Sequence, residues 1–202
     1  MEIIKVLVIL LLSSILLVTL TPKYKSFIIS KVKTIGLHSM KPVHNLLERS
    51  FYKEINHLSK TMYKNKDYEI NRFWPKGIKG FSKPVFVHTI NDASIHKRLK
   101  SNLSNVGINR PIKKAMLYFW IPGSYIPWHT DGIYTAGLTI YLNDYWKIEY
   151  GGLFQFYTKP NVVETITPSA NLGVYQEGGV PHSTTVVAKN APVRRTLHVF
   201  FS

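Results

Sequence analysis

Three hydrophobic patterns succeed one another along the chain. Residues 3–20, IIKVLVILLLSSILLVTL, form an apolar run of 18 with a single charge, Lys5. That length is just sufficient to span a bilayer as a helix. A cleaved signal peptide would have a shorter apolar region and small residues before the cut, and Val18-Thr19-Leu20 does not resemble such a site. A retained membrane anchor over residues 1–21 is the favoured reading, followed by a basic linker over 22–41. In residues 42–63, Val43, Leu46, Leu47, Phe51, Ile55 and Leu58 recur at helical spacing, which predicts an amphipathic helix. Turn chemistry at 73–80 precedes an alternating stretch, Pro84 to Ile90, that predicts a strand. Asn91 or Asp92 can then cap a helix over Ala93 to Leu103.

From Ala115 onward the period changes. Short apolar or aromatic runs are separated by Gly, Pro, Asn and Asp, the pattern of an all-β sandwich or barrel. The candidate strands are Ala115–Ile121, Gly137–Leu142, Leu153–Tyr157, Asn171–Tyr175, His182–Val187 and Arg194–Phe201. Together with the segments before them they predict a mainly β, α+β chain: a double-stranded β-helix, or jelly roll, with flanking helices. In such a fold, residues distant in sequence converge on one mouth. The organisation expected is an anchor (1–21), a linker (22–41), a helical and α+β lead-in (42–113) and a β core (114–202).

Composition changes this picture in two places. The chain has no cysteine, so thiol nucleophiles, zinc–cysteine sites and disulfides are excluded. The net charge of +15 is confined to residues 21–115, which hold 20 basic and 5 acidic groups; the flanking segments are each neutral. A basic belt beside an anchor favours contact with anionic lipid and, by the positive-inside rule, a cytoplasmic catalytic domain. Nucleic acid is the other partner such a belt suggests, and a simply solvated face is the third reading. Asn102-Leu103-Ser104 is a glycosylation sequon that matters only if the domain is lumenal.

His129, Asp131 and His182 are the candidate chemical centre. Two histidines and one carboxylate are the ligand set of non-haem Fe(II) oxygenases, which leaves coordination positions open. On an extended segment residues i and i+2 face the same way, so His129 and Asp131 can reach one ion while Thr130 points away. A His-x-Asp pair taken alone is equally the makings of a surface turn. The surrounding motifs are more specific. Met116 to Asp131 is similar to the aromatic, glycine, His-x-Asp segment of the prolyl 4-hydroxylase-like branch of Fe(II)/2-oxoglutarate-dependent oxygenases. Leu138 to Asp144 resembles that branch's Tyr-Leu-Asn-Asp strand, Gly151 to Phe156 its Gly-Gly turn, Pro181-His182-Ser183 its distal histidine, and Arg194 to Phe200 its closing strand. The resemblance covers about residues 114–202.

It implies iron held by His129, Asp131 and His182, with 2-oxoglutarate and O2 as co-substrates and ascorbate as an accessory reductant. The implied reaction hydroxylates a C–H bond and releases succinate and CO2. The distal carboxylate of 2-oxoglutarate needs a fixed cation, and the planar guanidinium of Arg194 can grip it with two hydrogen bonds. Thr196, on the same strand face, can add a hydroxyl. Arg195 is expected to point to solvent, and the choice between the two arginines rests on strand register. Tyr118 can donate its phenol to 2-oxoglutarate or serve as a core tyrosine; His198 reads as packed behind the site. Trp128, Tyr134, Tyr145, Trp146 and Tyr150 are expected around the mouth. A protein side chain, prolyl first, or a small molecule is the expected substrate. Nucleic acid ranks lower, because the demethylase branch usually has a second arginine where Val199, Phe200 and Phe201 stand. A non-catalytic binding module is the remaining alternative.

Overall fold

The computed structural model describes residues 40–71, 82–159 and 161–202. The expected anchor, most of the linker and the turn at 73–80 lie outside the described residues. No helix among those described is long and apolar enough to cross a membrane.

In chain order the elements are β1 (Lys41–Val43), α1 (Arg49–Lys64), β2 (Glu69–Ile70), β3 (Val85–Thr89), α2 (Ala93–Asn105), β4 (Ile112–Trp120), β5 (Ile126–His129), β6 (Ala136–Tyr141), β7 (Phe154–Lys159), β8 (Val162–Ile166), β9 (Gly173–Glu177), β10 (His182–Thr184) and β11 (Arg194–Phe201). The strands form a seven-stranded sheet, β1-β9-β6-β11-β4-β3-β2, and a four-stranded sheet, β5-β10-β7-β8. Every pairing is antiparallel. The expected β-rich jelly roll with flanking helices is therefore present in the described residues.

The strands β4 and β11 are buried on both faces, and each face has its own packing partner. Ala115, Leu117 and Phe119 of β4, with Leu197, Val199 and Phe201 of β11, share a core with the helices. Phe51 and Ile55 of α1 and Leu99 and Leu103 of α2 close it from the other side. Burying each side chain of this size contributes about 1.5–3 kcal/mol. The alternate residues Met116, Tyr118 and Trp120 join Val85 and Val87 of β3 in a second cluster, turned toward the smaller sheet. Strand alternation thus divides one sequence into a structural face and a cavity face.

Two sequence expectations shift at the N-terminal end. The helix predicted over 42–63 begins at Arg49, and Lys41–Val43 pairs with β9 instead. Asn45 adopts a left-handed backbone (φ 51°), which breaks any helix through it. The Asn171 side chain clasps Leu47, accepting from its N–H at 2.9 Å and donating to its carbonyl at 2.7 Å. Glu48 then caps α1 by accepting from the Ser50 amide. Leu46 and Leu47 are buried as their spacing implied, although they precede the helix. The boundary expected at 113/114 falls inside β4. Strands β1, β2 and β3 pair into the same large sheet, and the described residues lie within one compact unit, Ser39–Ser202. Asp92 is the cap of α2, accepting from Ser94 and Ile95 amides.

Candidate metal centre and co-substrate cavity

His129 ends β5, and His182 opens β10 directly opposite it in the paired strands. Asp131 lies two residues beyond the end of β5, where its carbonyl accepts from the Tyr134 amide at 2.9 Å and starts a turn. His129 Nε2 lies 3.8 Å from Asp131 Oδ1, and His182 Nε2 lies 3.7 Å from Asp131 Oδ2. The three ligand atoms fall within 4.8 Å of one another, close enough to share one ion.

The backbone prepares both imidazoles for that role. His129 Nδ1 sits 2.9 Å from the Pro127 carbonyl and His182 Nδ1 sits 2.9 Å from the Val180 carbonyl. A carbonyl only accepts, so each Nδ1 carries the proton and each Nε2 presents its lone pair to the centre. Burial, followed by the neighbouring His129, holds His182 below its ordinary pKa against the pull of Asp131. A neutral ring is the form that binds a metal. The Phe154 ring lies face-on to His182 at 5.3 Å and restricts its rotation.

Gln176 completes the arrangement, and no motif in the sequence pointed to it. Its Nε2 donates to Asp131 Oδ2 at 2.7 Å and lies 3.5 Å from His182 Nε2. Glycine at the facing position leaves room for this contact: a Cβ on Gly137 would come within 3.0 Å of Gln176 Nε2 and 3.4 Å of Asp131 Oδ2. The only sequence signal available was a glycine in an otherwise apolar strand.

These residues line a cavity of about 380 Å³ between the two sheets. Arg194 closes its deep end, 1% exposed. Among the described residues, four buried side-chain atoms lack a hydrogen-bond partner: Tyr52 Oη, Tyr141 Oη, and Arg194 Nε and Nη1. Three of the four cluster at this end, because the guanidinium lies 5.0 Å from the Tyr141 ring and 4.9 Å from the Trp120 ring. Burial lowers the pKa of Arg194 while the Tyr141 phenol supports the charged form. Gly152 (φ 60°) lets the chain pass close beside it; a Cβ there would lie 2.8 Å from Arg194 Cδ.

Arg195 points the opposite way, though not to solvent as expected. It is buried under α1, where Nη1 donates to Asn56 Oδ1 at 2.7 Å and Ser59 Oγ at 2.6 Å. Asn143 fixes this register: its Oδ1 accepts from the Arg195 amide at 2.7 Å and its Nδ2 donates to the Val193 carbonyl at 2.9 Å. The Tyr-Leu-Asn-Asp segment therefore aims the arginines.

Tyr118 lines the cavity, and burial, then the Asp131 charge, raises its pKa so that it remains a phenol. Thr196 is fully buried and does not line the cavity; its hydroxyl accepts from Trp120 Nε1 at 3.2 Å and lies 3.0 Å from His198 Nε2. It steadies the wall around the expected co-substrate site. His198 lines the cavity with its ring 4.1 Å from that of Tyr118. Of the five aromatics expected at the mouth, only Tyr134 lines the cavity. Trp146 is a core residue donating to the Gly151 carbonyl, with Tyr150 against its edge. Tyr145 is exposed, and Trp128 stacks at 4.4 Å on Tyr157 outside the cavity.

No family model and no curated protein matches the sequence. Solved structures do match. A Pseudomonas putida prolyl-4-hydroxylase aligns with a TM-score of 0.67 at 16% identity, over 84% of this chain and 95% of that one. A Trichoplax adhaerens prolyl hydroxylase, in complex with a hypoxia inducible factor peptide fragment, aligns with a TM-score of 0.67 at 16% identity, over 84% and 86%. The non-heme alpha ketoglutarate dependent epimerase SnoN of nogalamycin biosynthesis aligns with a TM-score of 0.64 at 10% identity, over 82% and 79%. The chain has the fold of prolyl 4-hydroxylases and other 2-oxoglutarate–Fe(II) oxygenases.

Proposed function

We propose that this protein is an Fe(II)- and 2-oxoglutarate-dependent oxygenase that hydroxylates a C–H bond of a protein side chain or a small molecule. The observation that carries the reading is Arg194. A buried guanidinium with two unpartnered nitrogens is costly unless an anion satisfies it, and it faces the cavity whose wall holds His129, Asp131 and His182. A dicarboxylate that reaches from the metal to Arg194 answers both features. The residues fit the group.

In this reading His129, Asp131 and His182 bind iron and leave neighbouring positions open for ligands. Arg194 orients the far carboxylate, with the Tyr141 hydroxyl beside it, while Tyr118 keeps its proton and can donate to the co-substrate. Gln176 holds Asp131 in place. Trp120, Met116 and Phe154 exclude water from the deep part of the cavity. When bound, iron and 2-oxoglutarate together supply the activation of O2, and the co-substrate leaves as succinate and CO2.

The same fold carries prolyl hydroxylation and an epimerase, so the substrate is argued from this chain's own cavity. A peptide or small molecule must enter past Ile133 and Tyr134, which stand at the open side. The apolar run at 3–20 and the basic residues after it support membrane attachment with the catalytic unit on the cytoplasmic side. The decisive assay is conversion of 2-oxoglutarate to succinate by the full chain with Fe(II) and ascorbate, beside His182→Ala, with metal-dependent 2-oxoglutarate binding read in the same samples. Loss of both in the variant is expected. A folded, iron-loaded wild type with neither overturns the reading.

A further inference from the structure

The helices carry a charged surface that the cavity does not use. At 3.6 residues per turn, Arg49, Lys53, His57, Lys60 and Lys64 fall within an arc of about 80° on α1. All of them are exposed. The arc lies on the side of the helix away from the buried residues Phe51, Ile55 and Ser59. Glu54, the only acid in α1, is turned toward α2, where it pairs with Arg98. Arg98 also lies 4.4 Å over the Phe51 ring, so the two helices sit side by side against the large sheet. Lys97 and Lys100 are exposed on α2, which contains no acid.

Helix stability does not account for this placement. Arg49 stands in the first turn, where the helix dipole disfavours a cation, and that turn holds no acid. Arg49 with Lys53, and Lys60 with Lys64, are like charges four residues apart, which repel. Lys60 also reaches Asp144, an acid outside the helix, at 2.9 Å. A face that needs only solvation interleaves both signs. An extended anionic surface meets the whole stripe at once and offsets the repulsion. Two features favour lipid over nucleic acid. The stripe runs about 22 Å along one helix and includes no aromatic side chain on which a base would stack. The same chain carries the apolar run at 3–20 and a basic linker after it.

We propose that the stripe on α1, extended by Lys97 and Lys100 of α2, docks on the head groups of an anionic membrane. The inference builds on the membrane attachment proposed for the apolar run, which holds the stripe at a high effective concentration of lipid. The two helices cover one face of the large sheet, and the cavity lies against the other. The docked unit turns its helices to lipid and its cavity side to water. On the oxygenase reading, the substrate then arrives from the aqueous side.

The chain has no cysteine, so one introduced at an exposed position takes a fluorophore there alone. His57→Cys labels the stripe, and Val163→Cys labels β8 of the smaller sheet, also exposed. Each labelled full chain is reconstituted with vesicles of phosphatidylcholine, alone or with phosphatidylserine, that carry a nitroxide quencher on some head groups. Quenching of the stripe label is expected with the anionic vesicles and not with the neutral ones, and the β8 label should stay bright in both. In about 1 M salt, where the Debye length is about 3 Å, the quenching should disappear. Each cation at an anionic surface strengthens binding about fivefold, so Arg49→Gln/Lys53→Gln/Lys64→Gln should lower the docked-to-free ratio about a hundredfold. Equal quenching in the two kinds of vesicle, equal quenching of the two labels, or undiminished quenching in the triple variant overturns the proposal. So does stripe-dependent binding of a duplex oligonucleotide without head-group contact, which assigns the face to nucleic acid. The lipid and salt comparisons do not need the triple variant and decide the matter even where it misfolds. Flotation with neutral vesicles reads attachment separately. A chain that does not float overturns the membrane attachment, and its quenching by anionic vesicles still decides docking; one that floats but shows no quenching with anionic lipid overturns docking alone.

Discussion

Arg194 and Arg195 are neighbours on one strand, both buried, and they meet opposite surroundings. On the helix side, Arg195 is bonded to Asn56, Ser59 and the Leu142 carbonyl, and Asn56 in turn donates to Asp144. On the cavity side, Arg194 lies between two aromatic rings with Nε and Nη1 unpartnered. A buried cation whose donors are met by its own chain belongs to the fold. One whose donors are left over marks where something else must bind. The degree of satisfaction, more than burial or charge, distinguishes the two arginines.

Swapping each arginine for a neutral side chain breaks the comparison most sharply. Arg195→Met should destabilise the protein by about 3 kcal/mol, since it strands Asn56, Ser59 and the Leu142 carbonyl without their donor. Urea unfolding measures this, and 2-oxoglutarate affinity should stay as in wild type. Arg194→Gln should do the converse. Unfolding stability should hold or rise, while 2-oxoglutarate affinity falls about a hundredfold, or roughly 2.7 kcal/mol. Equal stability losses in the two variants would remove the distinction.

Gln176 sharpens the contrast at the candidate metal centre. Its amide donates to Asp131 Oδ2 at 2.7 Å and holds the carboxylate in place, so Gln176→Leu should weaken divalent-metal binding about tenfold. Gln176→Glu should restore none of it, because a carboxylate cannot donate to Asp131. Metal affinity measured by competition with a chromophoric chelator distinguishes this from a loss of fold.

How far the sequence carried these assignments depended on whether the signal was local. β11 was predicted with the bounds observed, Arg194–Phe201; every residue of it pairs with β4, and those from Thr196 onward pair with β6 as well. His129, Asp131 and His182 were legible through ordered motifs and converge as expected. β8 was not read, since Val162–Ile166 is mostly exposed and lacks a hydrophobic alternation. β1 was hidden in a helical-period stretch, where Val43, Leu46 and Leu47 are spaced like a helix but Asn45 turns the chain. Arg195 was assigned to solvent because its partners, Asn56 and Ser59, lie more than 130 residues away and interrupt the apolar stripe of α1. Those two polar residues on the inner face of a helix were the available warning. Gln176 had no signal in its own segment; only the sheet brings β9 beside Gly137 and the candidate metal-binding residues.

His198 offers the smallest effect and the clearest sign. It stands on the cavity face of the same strand as Arg194, and burial, then Arg194, holds its pKa well below the usual value of 6.5. Above that value the ring is neutral in both folded and unfolded chains and contributes no pH dependence. As the pH falls below 6.5, the unfolded chain takes up a proton that the folded chain refuses, so stability declines by up to about 1.4 kcal/mol per pH unit. Substituting His198→Gln removes one such proton. In metal-free protein, the loss of unfolding free energy between pH 7.5 and 5.5 should therefore be about 1 kcal/mol smaller in the variant than in wild type. His182 contributes in the same direction in both proteins and cancels from the difference. An unchanged pH slope would mean that the cavity face admits a second charge beside Arg194. Its empty donors would then be less costly than their burial implies.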